Sequence, residues 1–226
     1  QVGKKPIEEG INILGAHIDS PRLDLKPNPL YEDSGLAMLK THYYGGIKKF
    51  QWVTLPLALH GVIVKKDGTA QEVVLGEDPS DPVLGISDIL PHLGKDQAVK
   101  KLGEAFGGED LNVCIGSIPE EDEGENPVKR HILKLLAEKY GMEEEDFLSS
   151  ELEIVPAGEA RDYGLDRSMI LGYGHDDRVC GYTSFMAMMD CPSTDRTVVT
   201  VLTDKEEIGS VGATGMHSRF FENVIA

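Results

Sequence analysis

Three short stretches carry side chains able to hold a cation and move a proton: His17-Ile18-Asp19-Ser20-Pro21, His175-Asp176-Asp177-Arg178 and Asp204-Lys205-Glu206-Glu207-Ile208-Gly209. In an extended segment, residues two apart point to the same side. His17 and Asp19 can therefore bring an imidazole and a carboxylate to one place, with Asp19 fixing the ring or its surroundings from a second layer. Two adjacent glutamates leaving a strand can divide their work, one binding a cation and the other handling a proton. An aspartate at a helix start sets a carboxylate beside unsatisfied backbone N–H groups, while His175, next to Asp176, tends to face elsewhere. Each stretch has a plainer reading: a hydrogen-bonded core histidine, a helix cap and dipole partner, a solvated Glu-Glu turn. As a collection they say more. Imidazole and oxygen donors without thiolate suit zinc, cobalt or manganese in a hydrolytic site. There one carboxylate can bridge two metals and a free Glu can deprotonate a water. The set reads as a two-metal hydrolase.

Such a site needs rigid elements to place it. The β-branched run before Asp204 reads as a buried strand of a parallel sheet, whose carboxyl end is where open α/β sheets put their ligands. Residues 11–16 read as a short strand that delivers His17, and the apolar periodicity after Arg178 as a buried helix behind Asp176. Pro27 and Pro29 forbid a helix and dictate an extended connection. Residues 41–46, Thr-His-Tyr-Tyr-Gly-Gly, read as a glycine hinge. Beyond it, residues 52–64, the turn Lys65-Lys66-Asp67-Gly68 and residues 71–75 read as a hairpin, and residues 111–115 as another strand. The acidic run from Glu120 to Pro127 reads as solvated loop. Ile132, Leu133, Leu135, Leu136 and Tyr140 recur at helical spacing with Gly141 as a stop, and residues 151–156 read as a strand leaving this region. The chain thus divides into residues 1–50 and 155–226, two parts of a catalytic domain, around a β-rich insert at 51–154.

With 226 residues and 40% hydrophobic content, the chain can bury a real core as one large domain or two small ones. Its 39 acidic residues against 22 basic ones give a formal charge of -17, which argues against nucleic acid or an anionic membrane as partner and favours cation binding. No apolar run reaches transmembrane length, and residues 1–10 lack the plan of a signal peptide, so a cytoplasmic protein is expected. Cys114, Cys180 and Cys191 are odd in number and show no Cys-x-x-Cys spacing, which indicates neither a disulfide framework nor a thiolate zinc site.

The three motifs, in this order, resemble those of the aspartyl aminopeptidase and vacuolar aminopeptidase I family of zinc exopeptidases, and the resemblance spans nearly the whole chain. It implies an α/β fold: a zinc-exopeptidase catalytic domain with a mainly parallel or mixed sheet flanked by helices, interrupted by a β-rich dimerisation insert. It also implies two zinc ions per subunit, with cobalt or manganese as alternatives, a peptide substrate, and dimers that build a dodecamer. Residue by residue, His17 resembles the ligand of one metal, Asp176 the bridging carboxylate and Glu207 the ligand of the second metal. Glu206 resembles the general base that activates water, and Asp19 the neighbour that orients the site. Residues 45–93 resemble the family's insert. Within them Asp88-Ile89-Leu90-Pro91-His92-Leu93 resembles the place where the family carries a histidine reaching the partner subunit's active site, which gives His92 a catalytic role there.

The family's remaining Asp and His ligands lie downstream of the Glu pair, and its members carry a segment before the first motif. The resemblance therefore implies the central part of a longer enzyme. The 226-residue chain alone is expected to lack two well-held metals and peptidase activity. The related tetrahedral glutamyl and deblocking aminopeptidases use a similar metal set, but have shorter inserts and fit the Pro-His-Leu element poorly. A non-catalytic assembly fragment is the alternative from another class. Nucleotide binding through Gly209-Ser210-Val211-Gly212-Ala213-Thr214-Gly215 is opposed by the absence of the Lys-Ser or Lys-Thr ending of a P-loop.

Overall fold

Apolar runs rich in Val, Ile and Leu become strands here where prolines, glycines and polar turns bound them. The computed structural model describes residues 1–121 and 124–226. In chain order it contains β1 (Asn12–His17), β2 (Arg22–Asp33), β3 (Leu36–Tyr44), α1 (Lys49–Trp52), β4 (Leu57–Val64), β5 (Ala70–Leu75), α2 (Lys95–Ala98) and β6 (Val113–Gly116). There follow α3 (Pro127–Tyr140), β7 (Ser150–Pro156), β8 (Arg161–Tyr163), β9 (Met169–Leu171), α4 (His175–Asp190), β10 (Val198–Thr203) and α5 (Phe220–Ile225). Parallel and antiparallel sheets flanked by helices make this a mixed α/β fold. Two units emerge, one of Arg22–Ala160 and one of Gln1–Pro21 with Arg161–Ala226.

The Arg22–Ala160 unit is built on a six-stranded antiparallel sheet in the order β5-β4-β7-β2-β3-β6. Leu23, Leu39, Leu57, Ile63, Val113 and Ile154 are fully buried in its core. Helix α3 packs against β2, β3 and β6. Its buried residues Val128, Ile132, Leu136 and Tyr140 stand four apart and so fall on one face. Pro127 in its first turn needs no N–H partner, and Gly141, at φ 60°, takes the left-handed conformation that ends the helix. Glu32 of β2 accepts the backbone N–H groups of Val128 and Lys129 at 2.9 and 3.0 Å, which satisfies two orphan donors and places negative charge at the helix start. Glu32→Ala is expected to lower the unfolding free energy by about 1–2 kcal/mol. Chemical denaturation would measure it, and an unchanged midpoint would refute the cap.

Several boundaries differ from those read off the sequence. Strand β3 continues through His42-Tyr43-Tyr44, with Thr41 buried and its hydroxyl donating to the Leu111 carbonyl at 2.8 Å, so only Gly45 and Gly46 turn the chain. Because β2 and β3 pair with β7 and β6, the unit begins after Pro21 and ends at Ala160, whereas the sequence placed these limits at 50/51 and 154/155. β7 lies inside the sheet, between β4 and β2, and is more than an exit strand. The β2–β3 register shifts between Leu25 and Leu30, where Pro27 and Pro29 lack the N–H that a ladder needs. Of the acidic run, Asp122 and Glu123 lie outside the described residues. Glu120 is half-buried and pairs with His131 Nδ1 at 2.8 Å, so it is not a solvated loop residue.

In the other unit, β1 and β10 pair in parallel with Asn12 opposite Val198 and His17 opposite Thr203. Helix α4 packs on both strands, with Gly181 against Ile18 and Leu202. β8 and β9 form a separate hairpin. Within this chain β10 is mostly half-buried, and Val179, Tyr182 and Met189 of α4 are 57%, 66% and 60% exposed, where the sequence led us to expect a buried strand and a buried helix. Among the described residues, no helix is long and apolar enough to cross a membrane.

Candidate metal centre

Parallel strands finish at the same edge, so the ends of β1 and β10 deliver His17 and the Asp204–Gly209 loop side by side. His17 is largely buried, its side chain 13% exposed. Its Nδ1 lies 3.0 Å from the backbone carbonyl of Asp19. A carbonyl only accepts, so Nδ1 carries the hydrogen and Nε2 is the atom left to bind a proton or a cation. Nε2 faces Asp176 Oδ1 at 3.3 Å and Glu206 Oε2 at 3.7 Å.

Asp19 is buried, and its carboxylate lies 3.3 Å from His17 Nδ1. It also accepts the backbone N–H of Glu206 and of Glu207, each at 3.2 Å. One buried carboxylate thus ties β1's end to the glutamate turn, Glu206–Ile208, which Lys205 enters through a left-handed conformation at φ 67°. The neighbouring aspartates separate. Asp176 (φ -89°, ψ 115°) and Asp177 (φ -114°, ψ 33°) are not helical, so the regular helix starts after them. Asp177 Oδ1 accepts the Cys180 N–H at 3.3 Å and caps that start, while Asp176 turns to His17. His175 is exposed.

The electrostatics reflect an excess of carboxylate. For His17, burial disfavours the charged ring. The Asp19 carbonyl and the carboxylates of Glu206, Asp19 and Asp177 outweigh it, so the imidazole pKa is raised. Glu207 is also raised, first by burial and then by Asp176, Asp19 and Glu206, with His17 opposing. A divalent cation is the charge that such a cluster lacks. The donors are of the kinds zinc takes, and the 3.3 Å between Nε2 and Oδ1 is close to the spacing of two ligands each about 2.0–2.1 Å from one tetrahedral zinc. Among the described residues, no three His, Cys, Asp or Glu side chains are gathered tightly enough to hold a metal by themselves. The set therefore fits zinc in kind and supplies part of a coordination shell.

The comparison with known families decides what these motifs belong to. A family model described as aminopeptidase I zinc metalloprotease (M18) matches residues 1–226. The chain belongs to the M18 family. Among M18 relatives, the probable M18 family aminopeptidase 1 of Clostridium acetobutylicum is 65% identical over 226 residues, which cover 100% of this chain and 49% of that protein. The crystal structure of aminopeptidase I from Clostridium acetobutylicum superposes with a TM-score of 0.91 at 62% identity, covering 99% of this chain and 49% of that one. That of the M18 aminopeptidase from Thermotoga maritima gives 0.91 at 49% identity, over 97% and 48%. The chain spans about half the length of the curated M18 relatives it matches.

Of the residues the M18 resemblance singles out, the structure gathers His17, Asp19, Asp176, Glu206 and Glu207 in one unit. His92 lies exposed in the Arg22–Ala160 unit, just before α2. Sequence reasoning assigned nothing to the hydroxyls of Ser20 and Tyr173. They donate to the carbonyls of Asp176 and Pro21, at 3.1 and 2.6 Å. Hydroxyl-to-carbonyl bonds across 156 and 152 residues leave no periodicity or spacing that could have announced them.

Proposed function

We propose that the protein carrying this chain is a two-zinc aminopeptidase that removes the N-terminal residue of peptides. The observation that carries this reading is His17 Nε2 facing Asp176 at 3.3 Å and Glu206 at 3.7 Å in an M18 chain. His17 and Asp176 would hold one metal, and Asp176 and Glu207 the second. Further Asp and His ligands are expected from the half of the family's length that this chain does not span. When bound, zinc supplies Lewis acidity, polarising the scissile carbonyl and acidifying water. Cobalt or manganese would suit the same donors.

The chain's own residues do the rest. The Nδ1–H bond to Asp19 fixes the His17 ring with Nε2 forward. Asp19, through the backbone N–H groups of Glu206 and Glu207, sets where both glutamates leave the turn. Glu206 takes a proton from the attacking water and returns it to the leaving amine. Reconstituting the protein with zinc and assaying aspartyl, glutamyl and leucyl substrates tests the reading. Hydrolysis of at least one is expected, and the pattern identifies the preferred residue. A protein with two bound metals that cleaves none of them would favour the non-catalytic assembly role, while a glutamyl preference alone would favour the related tetrahedral enzymes.

The Arg22–Ala160 unit is proposed as the element through which subunits dimerise and then build a dodecamer. Ile89, Leu90 and Leu93, 51%, 66% and 74% exposed beside His92, support it as an apolar contact face. His92 would act in the partner's site. Subunits bearing Glu206→Gln mixed equally with subunits bearing His92→Ala should recover activity in about a quarter of the sites, as random two-fold pairing requires. No recovery in dimers verified as mixed would refute the shared site.

A further inference from the structure

Two hydroxyls join the segment after β1 to the segment that opens α4. Ser20 Oγ donates to the carbonyl of Asp176 at 3.1 Å, and Tyr173 OH donates to the carbonyl of Pro21 at 2.6 Å. The bonds run in opposite directions between the same two stretches, Ser20-Pro21 and Tyr173 to Asp176, and so act as paired struts. Ser20 is 6% exposed, so its hydroxyl is held on the protected side of this brace. Gly174, at φ 82°, takes the left-handed backbone that brings the chain past Ser20 into the turn before Asp176.

The backbone of Asp176 is not helical, so the i to i-4 ladder does not fix it, and within this chain its side chain is 85% exposed. Yet its carboxylate must sit 3.3 Å from His17 Nε2 for the two to share a cation. His17 lies three residues before Ser20 on the other side of the brace.

We propose that Ser20 and Tyr173 are positioning residues that set the His17–Asp176 separation and thereby govern how tightly the pair holds a divalent cation. The inference rests on the two-metal reading above and adds the groups that preorganise it. Neither hydroxyl reaches the carboxylate itself, so removing one changes where Asp176 stands and leaves its charge alone. Partners that act from behind a ligand typically change metal affinity by about 10- to 100-fold.

In the full protein, Ser20→Ala, Tyr173→Phe and their double variant are compared with Ser20→Thr, which keeps a hydroxyl. Zinc affinity is read by competition with a chelator, and ligand geometry by the visible spectrum of the cobalt form. Each hydroxyl-deleting variant should bind zinc about tenfold more weakly with an altered cobalt spectrum. The double variant should lose less than the product of the two, because both struts fix one separation. Ser20→Thr should restore affinity. Unchanged zinc affinity and cobalt spectrum in both single variants, with only a lower melting temperature, would make the hydroxyls structural and overturn the proposal. If Ser20→Ala does not fold, Tyr173→Phe carries the same comparison. A separate failure, His17→Ala binding cobalt as tightly as the unaltered protein, would remove the metal assignment itself.

Discussion

Glu206→Gln is expected to retain its metals and to lose at least about a hundredfold in kcat. The amide has the shape of the carboxylate but cannot accept the proton of an attacking water. The backbone that positions residue 206 is held by Asp19 at 3.2 Å through its own N–H, a bond that the substitution leaves intact. The side chain is 55% exposed, so folding stability should change little. Steady-state kinetics with elemental analysis of the same preparation provide the measurement. Turnover close to that of the unaltered enzyme would move the base elsewhere, and loss of metal would make Glu206 a ligand.

Asp176→Asn should weaken both metals together, by more than the roughly hundredfold upper limit seen for residues that only support a ligand. A carboxylate carries two charged oxygens that would be available to cations, whereas a neutral amide offers one weakly basic oxygen and a nitrogen that does not coordinate. Asp177→Asn is the control, because Asp177 caps the helix through the Cys180 N–H at 3.3 Å and asparagine caps as well as aspartate. Metal titration should show both sites lost in the first variant and both kept in the second. Loss of one metal alone in Asp176→Asn would deny it the bridging role. Equal losses in the two variants would mean that the geometry distinguishing these neighbours has no bearing on binding.

That distinction marks where the sequence stops and the tertiary structure takes over. β1, the β4–β5 hairpin, α3 with its Gly141 stop and β10 were all legible in the sequence, because alternation, helical spacing and the backbone limits of proline and glycine act among near neighbours. So were the residue types at the strand ends, since imidazole and carboxylate without thiolate already restrict the chemistry. Residue types and spacing alone did not say which of Asp176 and Asp177 turns to His17, a choice made only through the family resemblance, nor that Asp19 holds the N–H groups of Glu206 and Glu207 from 187 and 188 residues away. Nor could it place β2 and β3 in the Arg22–Ala160 sheet, because strand partners are chosen by register and burial across the whole chain. α4 shows the same limit: its apolar residues gather on no single face, and within this chain only Gly181 of it is buried, because how much of a helix is covered is set by the neighbours that pack on it.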